Sequence, residues 1–111
     1  MLYTVDPETG RYIQYNPSSE YESFGLAVRG EDFFGDVVRD APKAIDPKDI
    51  ERHLRVFTKE NVMDEIEKNG VFIHNYGLMM DGRSVPATLR ATLAHEEDGE
   101  KIILGVTTEE G

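Results

Sequence analysis

The sequence predicts an α+β fold, a five-stranded antiparallel sheet with its helices inserted between strands two and three. Turn signals near both ends of the chain are the first observation. Pro7-Glu8-Thr9-Gly10, Asp81-Gly82 and Asp98-Gly99 supply the preset or positive φ angles that tight hairpins need. The second observation is a long middle segment with helix-start patterns. The predicted order is therefore strand, strand, helices, strand, strand, strand.

The N-terminal hairpin is expected from two short β-type runs, residues 2–5 and 11–15, on either side of the first turn. Asn16-Pro17-Ser18-Ser19 then breaks the second strand and can cap a short helix over residues 20–24, which Gly25 ends. A further helical turn or two is expected over residues 32–38. This first part of the chain thus predicts two strands followed by short helical segments.

The middle of the chain carries stronger helix signals. In Asp46-Pro47-Lys48-Asp49, an N-cap carboxylate precedes a proline at the first helical position and an acid in the first turn. The spacing of Ile50, Leu54 and Phe57 places them on one helix face. Thr58 can cap a second helix over residues 59–68, which Asn69-Gly70 ends. Two consecutive helices are predicted here.

Three strands are predicted after these helices, over residues 71–80, 85–95 and 101–107. The middle strand alternates most regularly, which places one set of small and aliphatic residues on one face. That set is Val85, Ala87, Leu89, Ala91 and Leu93. In the strand over residues 71–80, both faces are apolar, so alternation alone does not decide which face is buried.

Composition limits the function classes. With 111 residues the chain is expected to form a single domain, residues 1–111. Its 22 acidic and 12 basic residues give a net charge of −10, which repels nucleic-acid phosphates and anionic lipid surfaces. No nucleic-acid or direct membrane contact is therefore expected. There is no cysteine, and the sequence shows neither a signal peptide nor a membrane-length apolar run, so a cytoplasmic location is expected.

The order of these motifs resembles that of the PAS domain family over essentially the whole chain. Residues 6–16 resemble the family's D-x-x-G-r-f-x-x-x-N start, and Ile45-Asp46-Pro47-Lys48-Asp49 resembles its I-h-P-x-D helix entry. Tyr76 followed by Asp81-Gly82 resembles the Y-r-l…D-G hairpin, and residues 103–107 resemble the closing i-x-G-v-x strand. Residues 58–61 are similar to PAS modules attached to bacterial diguanylate cyclases of the GGDEF type.

The resemblance implies a sensory and dimerisation module, a fragment of a longer bacterial signalling protein. Such a module would regulate a separate output domain, a diguanylate cyclase or a histidine kinase. A homodimer is expected through the outer sheet face, where the strand over residues 71–80 is also apolar. The alternative is a ligand-free structural adapter for protein–protein interaction. No set of acids or nucleophiles specifies a catalytic site, so the module itself is not expected to be an enzyme.

In this family small-molecule ligands bind between the helices and the inner faces of the last three strands. Strand alternation and the helix pattern then give the expected ligand-binding residues, of which Asn75 and Thr107 are polar. The alternative is that aliphatic side chains close this space and Asn75 bonds to neighbouring backbone. The expected set is Phe34, Phe57, Ile73, Asn75, Leu89, Ala91, Ile103 and Thr107.

No cofactor is assigned from the sequence. A cysteinyl-flavin adduct is excluded because the chain has no cysteine. Haem-binding members of the family use a histidine on the long helix, and His53 lies on the corresponding helix. Its position beside the apolar stripe favours an exposed or partly packed histidine over a haem ligand. His74 and His95 share no metal-ligand spacing with His53, and the acids of residues 96–100 are explained as well by a charged hairpin tip as by a calcium site.

Overall fold

An antiparallel sheet carries three helices in a computed structural model that describes residues 2–15 and 29–109. The sheet has six strands in the order β3-β2-β1-β6-β5-β4, and every neighbouring pair is antiparallel. The α+β class and the antiparallel sheet are therefore confirmed. The strands are β1 (Leu2–Val5), β2 (Tyr12–Tyr15), β3 (Arg29–Gly30), β4 (Phe72–Met80), β5 (Arg83–Glu96) and β6 (Gly99–Thr108).

The predicted count of five strands is corrected to six by β3. This strand has two residues and pairs Gly30 with Tyr12 and Arg29 with Ile13. Two residues are too few to show the alternation by which a strand is detected in a sequence. The predicted helix over residues 20–24 lies outside the described residues.

The predicted hairpin turns lie where the Asp-Gly steps place them. Asp81 and Gly82 have φ angles of 53° and 81° between β4 and β5, and Gly99 has a φ of 120° at the start of β6. Such positive φ angles cost glycine little, and aspartate tolerates them better than most residues. These turns bring the last three strands together as a meander.

The three helices of the described residues all lie between β3 and β4. They are α1 (Phe33–Ala44), α2 (Ile50–Val56) and α3 (Lys59–Asn69), with a 3₁₀ turn at Pro47–Asp49 before α2. Asp32 caps α1 through the N–H of Gly35, and Thr58 caps α3 through the N–H of Asn61. None of these helices is long and apolar enough to cross a membrane.

The first helix is longer than the sequence indicates. A turn or two was expected over residues 32–38, but α1 continues to Ala44 and contains Pro42. Proline normally stops a helix because it lacks an N–H and its ring crowds the preceding turn. Here Pro42 lies in the last turn, and the buried faces of Val37, Ala41 and Ala44 hold the helix against the sheet. Tertiary packing therefore outweighs the local preference.

Candidate functional site

A small cavity lies between the helices and the inner face of the last three strands. Its volume is about 40 Å³, room for a few water-sized atoms at most. The floor is formed by Leu89 of β5 with Leu104 and Val106 of β6, and the walls by side chains of α1 and α2. Most of the lining is apolar. The polar lining residues are Tyr3, Asp40, His53 and Tyr76.

Two buried histidines meet beside this cavity. Nδ1 of His53 in α2 and Nε2 of His74 in β4 are 3.0 Å apart, a hydrogen-bond distance in which one ring donates and the other accepts. Each histidine is only 3% exposed. The pair therefore forms a direct polar link between α2 and the sheet inside an otherwise apolar core.

Burial keeps both imidazoles neutral near neutral pH. It lowers the pKa of His53 from 6.5 to about 4, and the neighbouring His74 and Arg52 act in the same direction. The pKa of His74 is likewise lowered to about 4, first by burial and then by Arg52. Asp49 acts in the opposite direction on both rings but does not outweigh burial. A neutral pair needs no counter-ion, which suits its apolar surroundings.

Aromatic rings surround the histidine pair. The ring of Tyr76 lies 4.8 Å from His53 and 5.0 Å from His74, measured between centroids. Phe57 lies 5.5 Å from His53 and stacks on Phe72 at 6.0 Å with an interplanar angle of 22°. Because these rings are rigid and tightly packed, they fix the two imidazoles in the orientation of their mutual hydrogen bond.

The tyrosines near the cavity are held in their neutral form. Burial raises the pKa of Tyr76 well above its usual range. Burial also raises the pKa of Tyr3, and the negative charge that Tyr76 would carry raises it further. Both hydroxyls can therefore donate and accept hydrogen bonds across the pH range in which the fold is expected to be stable.

The 3₁₀ turn positions α2 on β4. Oδ2 of Asp49 accepts a hydrogen bond of 2.8 Å from the backbone N–H of Gly77, and the N–H of Asp46 donates to the Gly77 carbonyl at 2.9 Å. A Cβ on Gly77 would lie 2.6 Å from Oγ of Ser84 and 3.0 Å from Oδ2 of Asp49. The turn therefore reaches the strand only because residue 77 has no side chain, and His53 follows within one turn of α2.

Asp40 places a carboxylate at the cavity wall. Its side chain is 4% exposed, and Arg39 binds both of its oxygens, with Nε 3.0 Å from Oδ1 and Nη2 2.9 Å from Oδ2. Such a bidentate guanidinium pair is strong and geometrically specific. The carboxylate at the cavity wall is thus paired with a guanidinium group on its solvent side.

Part of the ligand-binding set expected from the sequence does surround the cavity. Phe57 and Leu89 line it. Ala91 is fully buried on the same face of β5, and Phe34 packs against Phe57 with 5.5 Å between ring centroids. The regular alternation of β5 is confirmed for Val85, Ala87, Leu89 and Ala91, which are all buried, whereas Leu93 is only partly buried.

The other expected positions lie on the opposite face of the sheet, which corrects the predicted strand orientation. Ile73 is 48% exposed, and Asn75 is exposed and accepts a 2.7 Å hydrogen bond from the Thr88 hydroxyl. Ile103 and Thr107 share that outer face. The physical reason is that both faces of β4 and β6 carry apolar residues, so the large aromatic and aliphatic residues decide the orientation. Those buried instead are Phe72, His74, Tyr76, Leu78, Ile102, Leu104 and Val106.

The histidine pair is the feature that sequence reasoning missed. His53 and His74 are 21 residues apart, on a helix and a strand, and a spacing of this kind matches no metal-ligand motif. The expectation that His53 is exposed or partly packed is also wrong, because it is buried. Within residues 2–15 and 29–109, no group of three or more His, Asp or Glu side chains is arranged to hold a metal ion.

Neither a protein-family model, nor a curated protein, nor a solved structure matches this chain. The cavity, the histidine pair and the two sheet faces are the features of the molecule from which a function can be inferred.

Proposed function

We propose that this chain is a PAS-like sensory and dimerisation module of a cytoplasmic bacterial signalling protein, in which it regulates a separate output domain such as a diguanylate cyclase or a histidine kinase. The observation that carries the proposal is the position of the cavity. It lies between α1 and α2 on one side and the last three strands on the other. This is where the resemblance puts a ligand.

The size of the cavity restricts the ligand. Sites for drug-sized molecules have volumes of roughly 300–1,000 Å³, whereas this one has about 40 Å³. A ligand that fits without rearrangement is uncharged, has only a few non-hydrogen atoms and is mainly apolar, with a polar group that meets His53 or Tyr76. Haem and flavin are far larger than this space.

The ligand-free adapter is the second candidate, and the small volume of the cavity, about 40 Å³, favours it. The contact between copies would lie on the outer sheet face. Thr4 of β1 pairs with Ile13 of β2 on one side and with Ile103 of β6 on the other. With Leu2 these residues form an aliphatic outer patch, defined as Leu2, Ile13 and Ile103. Leu2 is 40% exposed and Ile13 43% exposed. In both candidates we propose that two copies meet through this patch, since burial of aliphatic surface would then stabilise the dimer.

Charge makes the dimer hypothesis testable in a specific way. Each chain carries a net charge of −10, so two copies repel one another over long range. Salt screens that repulsion but leaves the burial of aliphatic surface intact. A dimer held by the outer patch is therefore expected to become tighter as the salt concentration rises, whereas one held by ion pairs would weaken.

Sedimentation equilibrium tests the dimer with two matched substitutions. Ile13→Glu puts a charge in the outer patch, and we expect at least about a tenfold loss of dimer affinity because a buried carboxylate without a partner is costly. The control is Val38→Glu on α1, where the native residue is 57% exposed and away from the sheet. Equal affinities for the two variants, or a monomeric wild type, would refute dimerisation through this patch.

Native mass spectrometry and an absorption spectrum of the purified protein separate the sensor from the adapter. A small added mass that Ala41→Leu removes would establish a cavity ligand, because Ala41 lines the cavity and a larger side chain fills it. Asn75→Leu is the matched control, since Asn75 lies on the exposed outer face. An added mass lost equally in both variants would place the ligand elsewhere, and a clean apo dimer would favour the adapter.

A further inference from the structure

We propose that the His53–His74 pair is a proton-operated latch, which holds α2 against β4 while both rings are neutral and releases α2 as the pair takes up protons. The hydrogen bond of 3.0 Å between Nδ1 of His53 and Nε2 of His74 is the geometric basis. It requires that one of these two nitrogens has no proton. A doubly protonated pair would turn two N–H groups and two positive charges toward each other.

The surroundings do not compensate for a charge on either ring. The acid whose charge acts on both rings is Asp49, but its Oδ1 already binds Nη2 of Arg52 at 3.2 Å and its Oδ2 accepts from the Gly77 N–H at 2.8 Å. Arg52 itself disfavours a second positive charge. The turn before α2 therefore anchors the helix without supplying a free counter-ion for the histidines.

The other elements packed around the histidine pair do not supply a free counter-ion either. From α1, Asp40 reaches the shared cavity, but Arg39 occupies both of its oxygens. From β4 and β1, Tyr76 and Tyr3 are neutral phenols. On α3 the buried residue is Val62, and the floor from β5 and β6 is aliphatic. A first proton can be shared in the hydrogen bond between the rings, but its charge stays buried without a counter-ion. The pair therefore takes up protons more readily when α2 moves and lets water reach the imidazoles.

This arrangement predicts in which direction, and by how much, the opening of α2 depends on pH. When α2 opens, an imidazole regains its ordinary pKa of 6.5, whereas in the closed state that of His53 is about 4. The open state therefore binds protons more readily below pH 6.5, and opening is favoured as the pH falls. For one such group the opening equilibrium constant rises about twentyfold between pH 7 and pH 5.

Hydrogen exchange of the α2 amides, corrected for the intrinsic dependence of exchange on pH, tests the latch. We expect protection in α2 to fall at least about tenfold between pH 7 and pH 5, while protection in the β5–β6 hairpin changes little. The variant His53→Asn with His74→Gln keeps polar groups near the positions of Nδ1 and Nε2 but cannot titrate. Its α2 protection is expected to be independent of pH over this range.

His95→Gln is the matched control, because His95 has a largely exposed side chain, 76%, and pairs with Glu100 outside the core. This variant should retain the wild-type loss of α2 protection. The same loss of α2 protection in the double variant as in the wild type would overturn the proposal. Wild-type α2 protection that does not change between pH 7 and pH 5 would also overturn it. If the double variant does not fold, the imidazole ¹⁵N shifts of the wild type decide. Titration of His53 and His74 well below pH 6.5 supports the latch, and ordinary titration near pH 6.5 refutes it.

The proposal is independent of the proposed function. A proton-operated latch can exist in a module that neither dimerises nor binds a small molecule, and failure of the dimer test leaves the exchange experiment unaffected.

Discussion

The carboxylate of Asp49 accepts a hydrogen bond from the backbone N–H of Gly77, with 2.8 Å between Oδ2 and N. This single contact joins the turn before α2 to the middle of β4, 28 residues further along the chain. It fixes where along β4 the helix α2 lies, and this places His53 opposite His74.

Replacing Asp49 by alanine should destabilise the fold. The substitution leaves the partly buried N–H of Gly77 without its acceptor, and a hydrogen bond to a charged group contributes about 1.5–3 kcal/mol. Urea denaturation followed by circular dichroism measures the change in the free energy of unfolding. Glu51→Ala, two residues away with a side chain that is 95% exposed, is the control and should change it by less than about 0.5 kcal/mol. Equal effects of both substitutions would contradict this role of Asp49.

Gly77→Ala should also destabilise the protein, but through crowding. The added Cβ would lie 2.6 Å from Oγ of Ser84 and 2.9 Å from Cβ of Asp46, so the turn must move away from β4. We expect a cost of about 1–3 kcal/mol. The control is Gly105→Ala in β6, where the nearest atom, Cδ1 of Leu2, lies at an ordinary 3.9 Å. Thermal or urea unfolding of both variants checks this, and a Gly105 variant at least as unstable as the Gly77 variant would disprove it.

The aromatic ring of Phe57 is expected to be essential to the core. It is 4% exposed and contacts rings from α1, α2 and β4. Phe57→Ala should lower the free energy of unfolding by about 3–5 kcal/mol. Phe34→Ala, at a half-buried position on α1, should cost clearly less. Urea denaturation measures both losses, and equal losses in the free energy of unfolding would contradict this prediction.

The protein should unfold at a lower alkaline pH than the ionisation of its exposed groups alone would require. Burial raises the pKa of Tyr3, Tyr12 and Tyr76 in the folded state, and for Tyr12 the 2.6 Å hydrogen bond to Asp36 adds to the effect. These phenols ionise more readily when unfolded, near pH 10. Their contribution to stability is therefore complete below pH 10 and is lost as the pH rises beyond it.

Tyrosinate absorbance and circular dichroism, recorded together in an alkaline titration, measure this effect. We expect the tyrosinate signal of the buried rings to appear together with the loss of structure. Tyr76→Phe removes one of these groups and should flatten the fall of stability above pH 10. Ionisation of all tyrosines in a still folded protein would contradict the explanation.

Local sequence signals predicted the parts of the fold that depend on local chemistry. Asp81-Gly82 forms a hairpin turn because it tolerates positive φ angles, and Thr58 caps α3 through its own side chain. The alternation of β5 was readable because its outward residues, such as Arg90 and Thr92, are polar. In each case a few neighbouring residues contain the whole physical cause.

The candidate site could not be predicted in the same way. Ile102 and Ile103 are identical residues on opposite faces of β6, so hydrophobicity alone cannot tell which one is buried. The contact between His53 and His74 depends on the height of α2 on the sheet, which Gly77 permits from a distant strand. Such features arise from packing between elements, and no short stretch of the chain encodes them.

The contacts around Gly77 also determine how copies of the chain can associate. Ile45 forms an isolated bridge to Leu78, and the N–H and carbonyl of Gly77 are both occupied by the 3₁₀ turn and its cap. Another molecule therefore cannot continue the sheet along this stretch of its outermost strand, and within residues 2–15 and 29–109 β3 at the other side offers only two residues. Open-ended growth of the sheet into fibres is thereby disfavoured. If copies of this acidic chain associate as proposed, the contact lies between sheet faces and stops at a defined number of copies.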